Sequence, residues 1–252
     1  MHNLGNLYSE TGLPKEAERA YEEALKYSRA LSEAAPETHL QNVAMTLHNL
    51  GVLYRETGRL KEAEKAYDEA LELRRALAET APQMYLPDLA GTLNSLGNLY
   101  NQTGRRKQAE KLFDETLRHY RALVEKRPEI YLPDVAMTLN NLGVLYIETG
   151  RLKEAEKAYD EALELRRVLA SMSPETYLPD VATTLINLGF LYRATARPRE
   201  AQRVLAEVVS VLTPMRPAQG TRARRVLETA KRQLAEVRAS LGENSGATSG
   251  GR

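Results

Sequence analysis

Carboxylates are the most abundant side chains in this chain that could take part in catalysis. Pairs of them recur in the phrases EAE and DEALE, for example at 62–64 and 68–72. Lys and Arg flank these pairs, so the pattern favours ion pairs on solvated helix faces over acid–base catalysis. The chain has no GxxxxGK[ST], GxSxG or GxGxxG motif. We therefore predict that the protein is not an enzyme.

The residues that could bind a metal are few and poorly spaced. Cysteine does not occur, which excludes disulfides, thiolate zinc sites and thiol catalysis. The four histidines, His2, His39, His48 and His119, show no HxxxH or similar ligand spacing. His2 and His48 share one position of the repeat described below, which leaves a weak site between them as an alternative. We predict no metal and no cofactor.

Composition places the chain among ordinary globular proteins. Its 252 residues carry a formal net charge of +1, so no global field favours nucleic acid or a membrane surface. The first twelve residues lack the basic stretch and apolar core of a signal peptide. No apolar run approaches the roughly 20 residues that span a bilayer. The sequence predicts a cytoplasmic protein without a membrane segment.

A period of 46 residues organises most of the sequence. It is marked by glycine in phrases such as NLGNLY and NLGVLY, at Gly5, Gly51, Gly97, Gly143 and Gly189. The seventeen residues 59–75 are repeated without change at 151–167. A fixed period of this size indicates a solenoid, because units too small to bury a core alone stack and share one.

Each period is predicted to contain two helices. In the second period, apolar residues such as Leu47 and Leu50 recur at steps of three and four, which predicts helix A over about 41–57. Gly58 is expected to end this helix in a left-handed conformation. Helix B follows at once and buries an alanine-rich face, whereas Arg74 is expected to face water.

Prolines punctuate the connection between periods. In APQMYLPD, residues 81–88, the first proline is predicted to stop helix B and the second, Pro87, to start the next helix A. Pro133 and Pro179 take the place of Pro87 in later periods, and Gln41 takes it in the first connection.

These residues resemble a known family. L-x-x-L-G-x-x-Y followed by A-x-x-x-Y-x-x-A is similar to the tetratricopeptide repeat, and the matching residues of the second period are Leu47, Leu50, Gly51, Tyr54, Ala63, Tyr67 and Ala70. The standard repeat has about 34 residues, so this longer unit most resembles the repeats of kinesin light chain and its bacterial and archaeal relatives. The resemblance implies an all-α, right-handed superhelical solenoid of antiparallel helix pairs.

The predicted domain organisation follows this period. Five repeats occupy 1–217, namely a truncated first repeat at 1–40, three full repeats at 41–86, 87–132 and 133–178, and a degenerate last repeat at 179–217. A capping helix is predicted within 218–241 and a disordered Gly/Ser-rich tail at 242–252. Because the first helix A lacks about six residues, we expect either a longer array upstream or a misplaced start. Self-association through this uncapped end is the physical alternative.

Helix A carries the candidate binding residues, because the resemblance implies that its variable positions line a concave groove. Asparagine is a poor choice inside a helix, but its amide can pair with both polar groups of a peptide backbone. The positions just before Leu-Gly are Asn3, Asn49, Ser95, Asn141 and Asn187, and their neighbours include His48, Asn94 and Asn140. The positions three residues further on are Asn6, Val52, Asn98, Val144 and Phe190. Side-chain specificity is assigned to Val52, Val144, Phe190, Arg55, Arg193, Glu56 and Glu148. The alternative is that the asparagines only bond neighbouring helices.

The sequence therefore predicts a non-catalytic scaffold that binds an extended peptide segment of another protein. The alternative function is the sensor or regulatory portion of a larger signalling NTPase or protease. The basic terminal helix, with Arg222, Arg224 and Arg225, leaves nucleic-acid binding as a third hypothesis. Since aromatic residues do not interleave with these arginines, a solvated cap is preferred.

Overall fold

The computed structural model of the protein describes residues 2–242, except for the side chains of His2, Ala34, Pro36, Glu37 and Thr38. Every regular element in this range is an α-helix, which confirms the predicted all-α class of packed helix pairs. The tail predicted to be disordered lies outside the described residues, apart from Gly242. Contacts divide the chain into two compact units, Met1–Pro128 and Glu129–Arg252.

The first unit contains three helix pairs. Connections of one or three residues join successive helices, so neighbours run antiparallel and pack side by side. Odd-numbered helices correspond to helix A of the repeat and even-numbered helices to helix B. The helices are α1 (His2–Glu10), α2 (Pro14–Ala34), α3 (Pro36–Glu56), α4 (Leu60–Thr80), α5 (Pro82–Gln102) and α6 (Arg106–Val124).

The second unit contains two helix pairs and a terminal helix. Its core includes Leu205 and Leu212 of the last pair together with Leu227 and Leu234 of the terminal helix, so the terminal helix packs against the last pair. The helices are α7 (Pro128–Glu148), α8 (Leu152–Met172), α9 (Pro174–Ala194), α10 (Pro198–Leu212) and α11 (Arg222–Ser240).

The predicted start of helix A at the second proline is wrong. Helix α5 begins at Pro82, and Pro87 lies inside it. Proline disfavours the helical conformation of the residue before it. Ala81 is therefore the single non-helical residue between α4 and α5, with φ −141° and ψ 74°. The connector YLPD is therefore helical. The helix continues through Pro87 although this residue has no backbone N–H to donate. Repeat limits drawn at 41, 87, 133 and 179 fall five residues inside these helices.

Arg74 is buried, contrary to the expectation that it faces water, and has 6% of its surface exposed. Its guanidinium donates to the carbonyl of Asp88 at 2.8 Å and to the hydroxyl of Thr92. Arg166 makes the same two bonds to the helix that follows it, at Asp180 and Thr184. A helical pattern shows which face a residue occupies, but it does not reveal the polar acceptors that the next helix brings to it.

Within each repeat, helices A and B touch at a glycine. A Cβ atom added at Gly97 would lie 2.7 Å from a ring carbon of Phe113, and one added at Gly143 would lie 2.4 Å from Tyr159. Both rings are almost completely buried, so they have no free space to move into. The glycine therefore sets how closely the two helices approach.

Arginines in the turns between helices A and B connect one repeat to the next. The Arg105 guanidinium lies 3.8 Å from the centre of the Tyr100 ring in its own repeat, and it forms two hydrogen bonds with Glu64 of the preceding repeat, at 2.5 and 2.8 Å. Arg197 makes the same contacts with Tyr192 and Glu156. This contact was not among the sequence predictions, although the arginine recurs with the period at Arg59, Arg105, Arg151 and Arg197.

Two glycines of α5 give a matched test of helix contact. We expect Gly97→Ala to lower the free energy of unfolding by about 1–3 kcal/mol, because it overpacks the contact with Phe113. Gly91→Ala is the control, since its Cβ would meet only the Tyr120 hydroxyl at 3.7 Å. Alanine has a higher helix propensity than glycine, so the free energy of unfolding of this control should rise by up to about 1 kcal/mol. Urea denaturation of both variants measures the difference, and equal effects would contradict the contact.

Ala196 takes the left-handed conformation that glycine takes in the other turns. Its φ is +55°, compared with +78° for Gly58 at the equivalent position. Because this conformation costs a residue with a Cβ about 1–2 kcal/mol, Ala196→Gly should raise the free energy of unfolding by up to about 1 kcal/mol. Gly58→Ala should lower the free energy of unfolding by a similar amount. The added Cβ would meet no atom within 4 Å, so the cost comes from the left-handed backbone and not from a clash. The same sign for both variants in thermal unfolding would refute this expectation.

Candidate functional site

The candidate groove residues differ in how accessible the helix packing leaves them. Asn3, Phe190 and Arg193 are exposed, whereas Asn94 is buried. The others are half-buried, namely His48, Asn49, Val52, Arg55, Ser95, Asn98, Asn140, Asn141 and Val144. Half-burial is typical of a groove wall, where a side chain packs against its own helix pair and still meets solvent.

A pocket of about 250 Å³ lies between α1 and α3 in the first unit. Asn6 is at its centre, where its amide oxygen accepts hydrogen bonds from the Tyr21 hydroxyl at 2.6 Å and from the Asn49 amide at 3.0 Å. Burial raises the pKa of Tyr21, so the phenol remains a donor. The lining residues are Asn6, Ser9, Glu10, Tyr21, Asn49 and Val52.

A second pocket, of about 410 Å³, lies between α7 and α9 in the second unit. Its walls are largely apolar and include the exposed ring of Phe190. The Asn187 amide donates to the amide oxygen of Asn140 at 2.9 Å, while the Glu148 carboxylate raises the pKa of the Tyr159 phenol beyond the effect of burial. The lining residues are Val144, Ile147, Glu148, Tyr159, Asn187, Phe190, Leu191 and Ala194.

The two pockets are the same site in different repeats. Each of the six residues that line the first pocket lies three 46-residue periods before a residue that lines the second. Tyr21 thus corresponds to Tyr159, and Asn49 corresponds to Asn187. An equivalent pocket therefore occurs in both units, with polar walls in the first unit and apolar walls in the second.

Two of the predicted asparagines bond to the preceding helix A. Asn49 donates to Asn6, and Asn187 donates to Asn140. These bonds support the alternative that the asparagines join neighbouring helices, and they use one N–H of each amide. Both side chains nevertheless line a pocket. Whether they also contact a peptide stays a prediction.

His48 was predicted to face the groove, but its ring packs between helices. Its Nδ1 lies 3.3 Å from the hydroxyl of Thr92, and its ring centre lies 5.6 Å from that of Tyr67. Burial lowers the pKa of His48 to about 3, and the positive charges of Arg74 and Arg55 contribute to this shift. The imidazole is therefore neutral near pH 7. The side chain of His2, the other member of the alternative metal site, lies outside the described residues.

Arg193 contacts the terminal helix, which changes its predicted role. Its guanidinium forms an ion pair of 2.9 Å with Glu236 of α11. Glu236 follows Phe190 by one period, and Gln233 follows Asn187 by one period, so α11 continues the register of helix A. Our sequence analysis described this helix only as a cap. Its continuing period was the signal that could have revealed the contact.

The arginines at the start of α11 contact acidic side chains of the chain itself. Arg222 pairs with Asp180 at 3.0 Å, and Arg224 pairs with Glu228 at 2.9 Å. Since these charges are partly neutralised within the protein, the geometry gives no support to nucleic-acid binding through this helix.

Sequence profiles described as tetratricopeptide repeat match residues 1–36, 43–80, 88–168 and 134–213. These matches cover well over half of the chain. The chain belongs to the tetratricopeptide repeat family. Tetratricopeptide repeat proteins are typically non-catalytic scaffolds that bind other proteins. No curated protein sequence matches the chain.

Solved structures share this tetratricopeptide fold. BtubC (BKLC) from P. vanneervenii is 21% identical with a TM-score of 0.70, over 91% of this chain and 85% of that chain. A putative kinesin light chain from Podosopora anserina, with nearly identical TPR-like repeats, is 19% identical with a TM-score of 0.57, over 86% and 95%. The pilF protein of Pseudomonas aeruginosa is 17% identical with a TM-score of 0.54, over 95% and 87%. The kinesin light chain-like form of the repeat is thus confirmed at the level of the fold.

Within residues 2–242, none of the helices combines the length and the apolar character that crossing a membrane requires.

The imidazole of His48, which packs between helices, predicts a dependence of stability on pH. The folded pKa is about 3 and the unfolded value about 6.5, so the unfolded chain binds the proton more tightly. Stability is therefore present above pH 6.5 and is lost as the pH falls from 6.5 towards 3. One pKa unit corresponds to about 1.36 kcal/mol, so the loss from this group by pH 4 should exceed about 1 kcal/mol.

His48→Asn tests this dependence, because asparagine occupies the equivalent position at Asn94 and is buried there. We expect the variant to lose less stability than the wild type between pH 6.5 and pH 4 in urea denaturation. The carboxylates titrate in both proteins and cancel in the difference. Parallel stability curves would show that His48 titrates alike in the folded and unfolded states.

Proposed function

We propose that this tetratricopeptide repeat protein is a non-catalytic scaffold that binds an extended peptide segment of another protein along the helix A faces. The observation that carries the proposal is the pair of equivalent pockets, between α1 and α3 and between α7 and α9. A site that recurs with the repeat suits an extended ligand, whose side chains also recur at regular spacing. As part of the same proposal, we place the protein in the cytoplasm.

The polar groups of the pockets suit a peptide backbone. Asn49 and Asn187 each present an amide at a pocket wall, and an amide can donate and accept at once. Each such hydrogen bond contributes about 0.5–1.5 kcal/mol net, and burying one large apolar side chain contributes about 1.5–3 kcal/mol. A micromolar dissociation constant requires about −8 kcal/mol after the cost of association, so further contacts along the groove must add to those of the two pockets.

A second candidate function is the regulatory portion of a larger signalling NTPase or protease. The same groove would then bind a segment of the catalytic part. Genomic sequence upstream of Met1 distinguishes the two functions, since a P-loop or protease motif in the same reading frame would favour the regulatory portion.

Self-association is a further part of the proposal, supported by the first helix pair. Leu4, Leu7 and Leu31 are 40–53% exposed, whereas the equivalent Leu50, Leu53 and Leu77 are 3–7% exposed because a preceding repeat covers them. A second copy could cover the exposed leucines. Sedimentation of the wild type and a Leu7→Ser variant tests this, and a monomeric wild type at high concentration would exclude it.

The groove is tested with a displayed library of random linear peptides and the full chain as target. We expect the library to yield peptides with micromolar dissociation constants. Phe190→Ser should weaken the binding of these peptides at least about tenfold, because it removes an exposed apolar wall of the pocket. Val168→Ser is the matched control, since Val168 is also half exposed but lies on α8 outside the pocket lining.

Three results would contradict the proposal. The library could yield no binder, the two variants could weaken binding equally, or binding could survive Phe190→Ser together with Asn187→Ala. Circular dichroism must first show that each variant retains its helical content.

A further inference from the structure

Resting on the proposed groove binding, we infer that the pocket between α7 and α9 selects a peptide in which a large apolar side chain is flanked by lysine or arginine. The apolar side chain enters the pocket, and the basic side chain meets the carboxylate of Glu148 at its mouth. The equivalent pocket between α1 and α3 has polar walls and does not share the preference for a large apolar side chain.

The apolar walls are not required by the fold. At equivalent positions, Val144 and Ile147 replace Asn6 and Ser9, and both sets of residues occur in well-formed helix pairs. Since the repeat folds with Asn and Ser at these positions, its packing does not demand Val and Ile there. Apolar residues that packing does not demand, and that line an open pocket, point to an apolar ligand group.

Phe190 gives the strongest evidence for this ligand group. It replaces Val52 of the equivalent pocket and has 48% of its surface exposed. A large aromatic ring half in water is unfavourable for the free protein but offers a flat apolar surface to a partner. The pocket volume of about 410 Å³ is within the range of sites that hold small organic groups, so an aromatic or leucine-sized side chain fits.

A carboxylate lies at the mouth of the pocket. Glu148 is exposed and lines the pocket, and its field acts on the Tyr159 phenol. The neighbouring cation, Arg193, forms the ion pair with Glu236, which partly cancels its charge. A basic residue beside the apolar side chain is therefore attracted, and an acidic residue is repelled.

The same acidic position recurs in other repeats. Glu10 and Glu56 stand three and two periods before Glu148, both are exposed, and Glu10 lines the pocket between α1 and α3. Each of the two pockets therefore has a carboxylate at the equivalent place.

We assign the ligand to a segment of another protein rather than to residues 243–252. Residues 243–252 contain no large apolar side chain, so they cannot supply the group that the pocket requires. A second copy of the chain is a separate occupant that the experiment must distinguish.

The experiment selects peptides from the same random library with the wild type and with Glu148→Lys. The peptides enriched on the wild type should share a Phe, Leu, Ile, Met, Tyr or Trp next to Lys or Arg. Glu148→Lys should bind synthetic copies of them at least about tenfold more weakly and should itself enrich peptides with Asp or Glu at the flanking position. Raising the salt concentration should reduce the difference, because the charges are exposed.

Glu164→Lys is the matched control, because it makes the same change of charge at an exposed position of α8 that does not line the pocket. It should bind the wild-type peptides within about twofold. Equal weakening by both Lys variants would show a general effect of net charge and would overturn the inference.

The inference and the proposed function can fail separately. If the selected peptides depend on Asn187 and Phe190 but carry no basic flank, or do not respond to Glu148→Lys, the inference fails and groove binding stands. If no peptide binds, both fail. If sedimentation shows that a second copy occupies the pocket and that Phe190→Ser abolishes this association, the inference fails as well.

Discussion

The rest of the structure depends on the contact between a glycine of helix A and a large side chain of helix B. In the first pair the glycine is Gly5 and the ring is Tyr21, and in the fourth pair they are Gly143 and Tyr159. The same two rings line the pockets. The close approach of the helices and the floor of the candidate site are thus made by the same atoms, so a change that separates the helices also changes the site.

Polar contacts hold one repeat to the next. A buried arginine such as Arg74 bonds to the following helix A, a turn arginine such as Arg105 pairs with the preceding helix B, and an asparagine such as Asn187 bonds to the preceding helix A. The exposed ion pairs each contribute at most about 1 kcal/mol. Their value lies in geometry, because each can form at only one register of one repeat against its neighbour.

The sequence predicted the helix pairs, because Gly51 and Leu50 recur with a period that only stacked units explain. It also predicted the left-handed turns, since Gly58 and its equivalents stand where a helix must end. It misplaced the start of helix A, because Pro87 lies in the second turn of a helix, where proline is seldom tolerated.

The pockets could be predicted only in part. Asn6, Asn49 and Val52 were recognised from their positions on helix A, but Tyr21 comes from helix B, and the bond between Asn6 and Asn49 joins two repeats. Their convergence depends on how two repeats pack, which a periodic pattern does not specify. The same reason explains Arg193, whose partner Glu236 lies in a helix that the sequence suggested only as a cap.

The lengths of the connections decide where a protease can attack. Within residues 2–242, every connection between helices has one or three residues except 213–221, which joins α10 to α11. A protease must hold several residues of its substrate in an extended form, and exposed loops are where it finds them. Cleavage in 213–221 would detach α11, uncover Leu212 at the end of the core and remove Glu236 from Arg193. The repeats themselves would stay intact, so among the connections within residues 2–242 the one open to cleavage is the one that holds the cap.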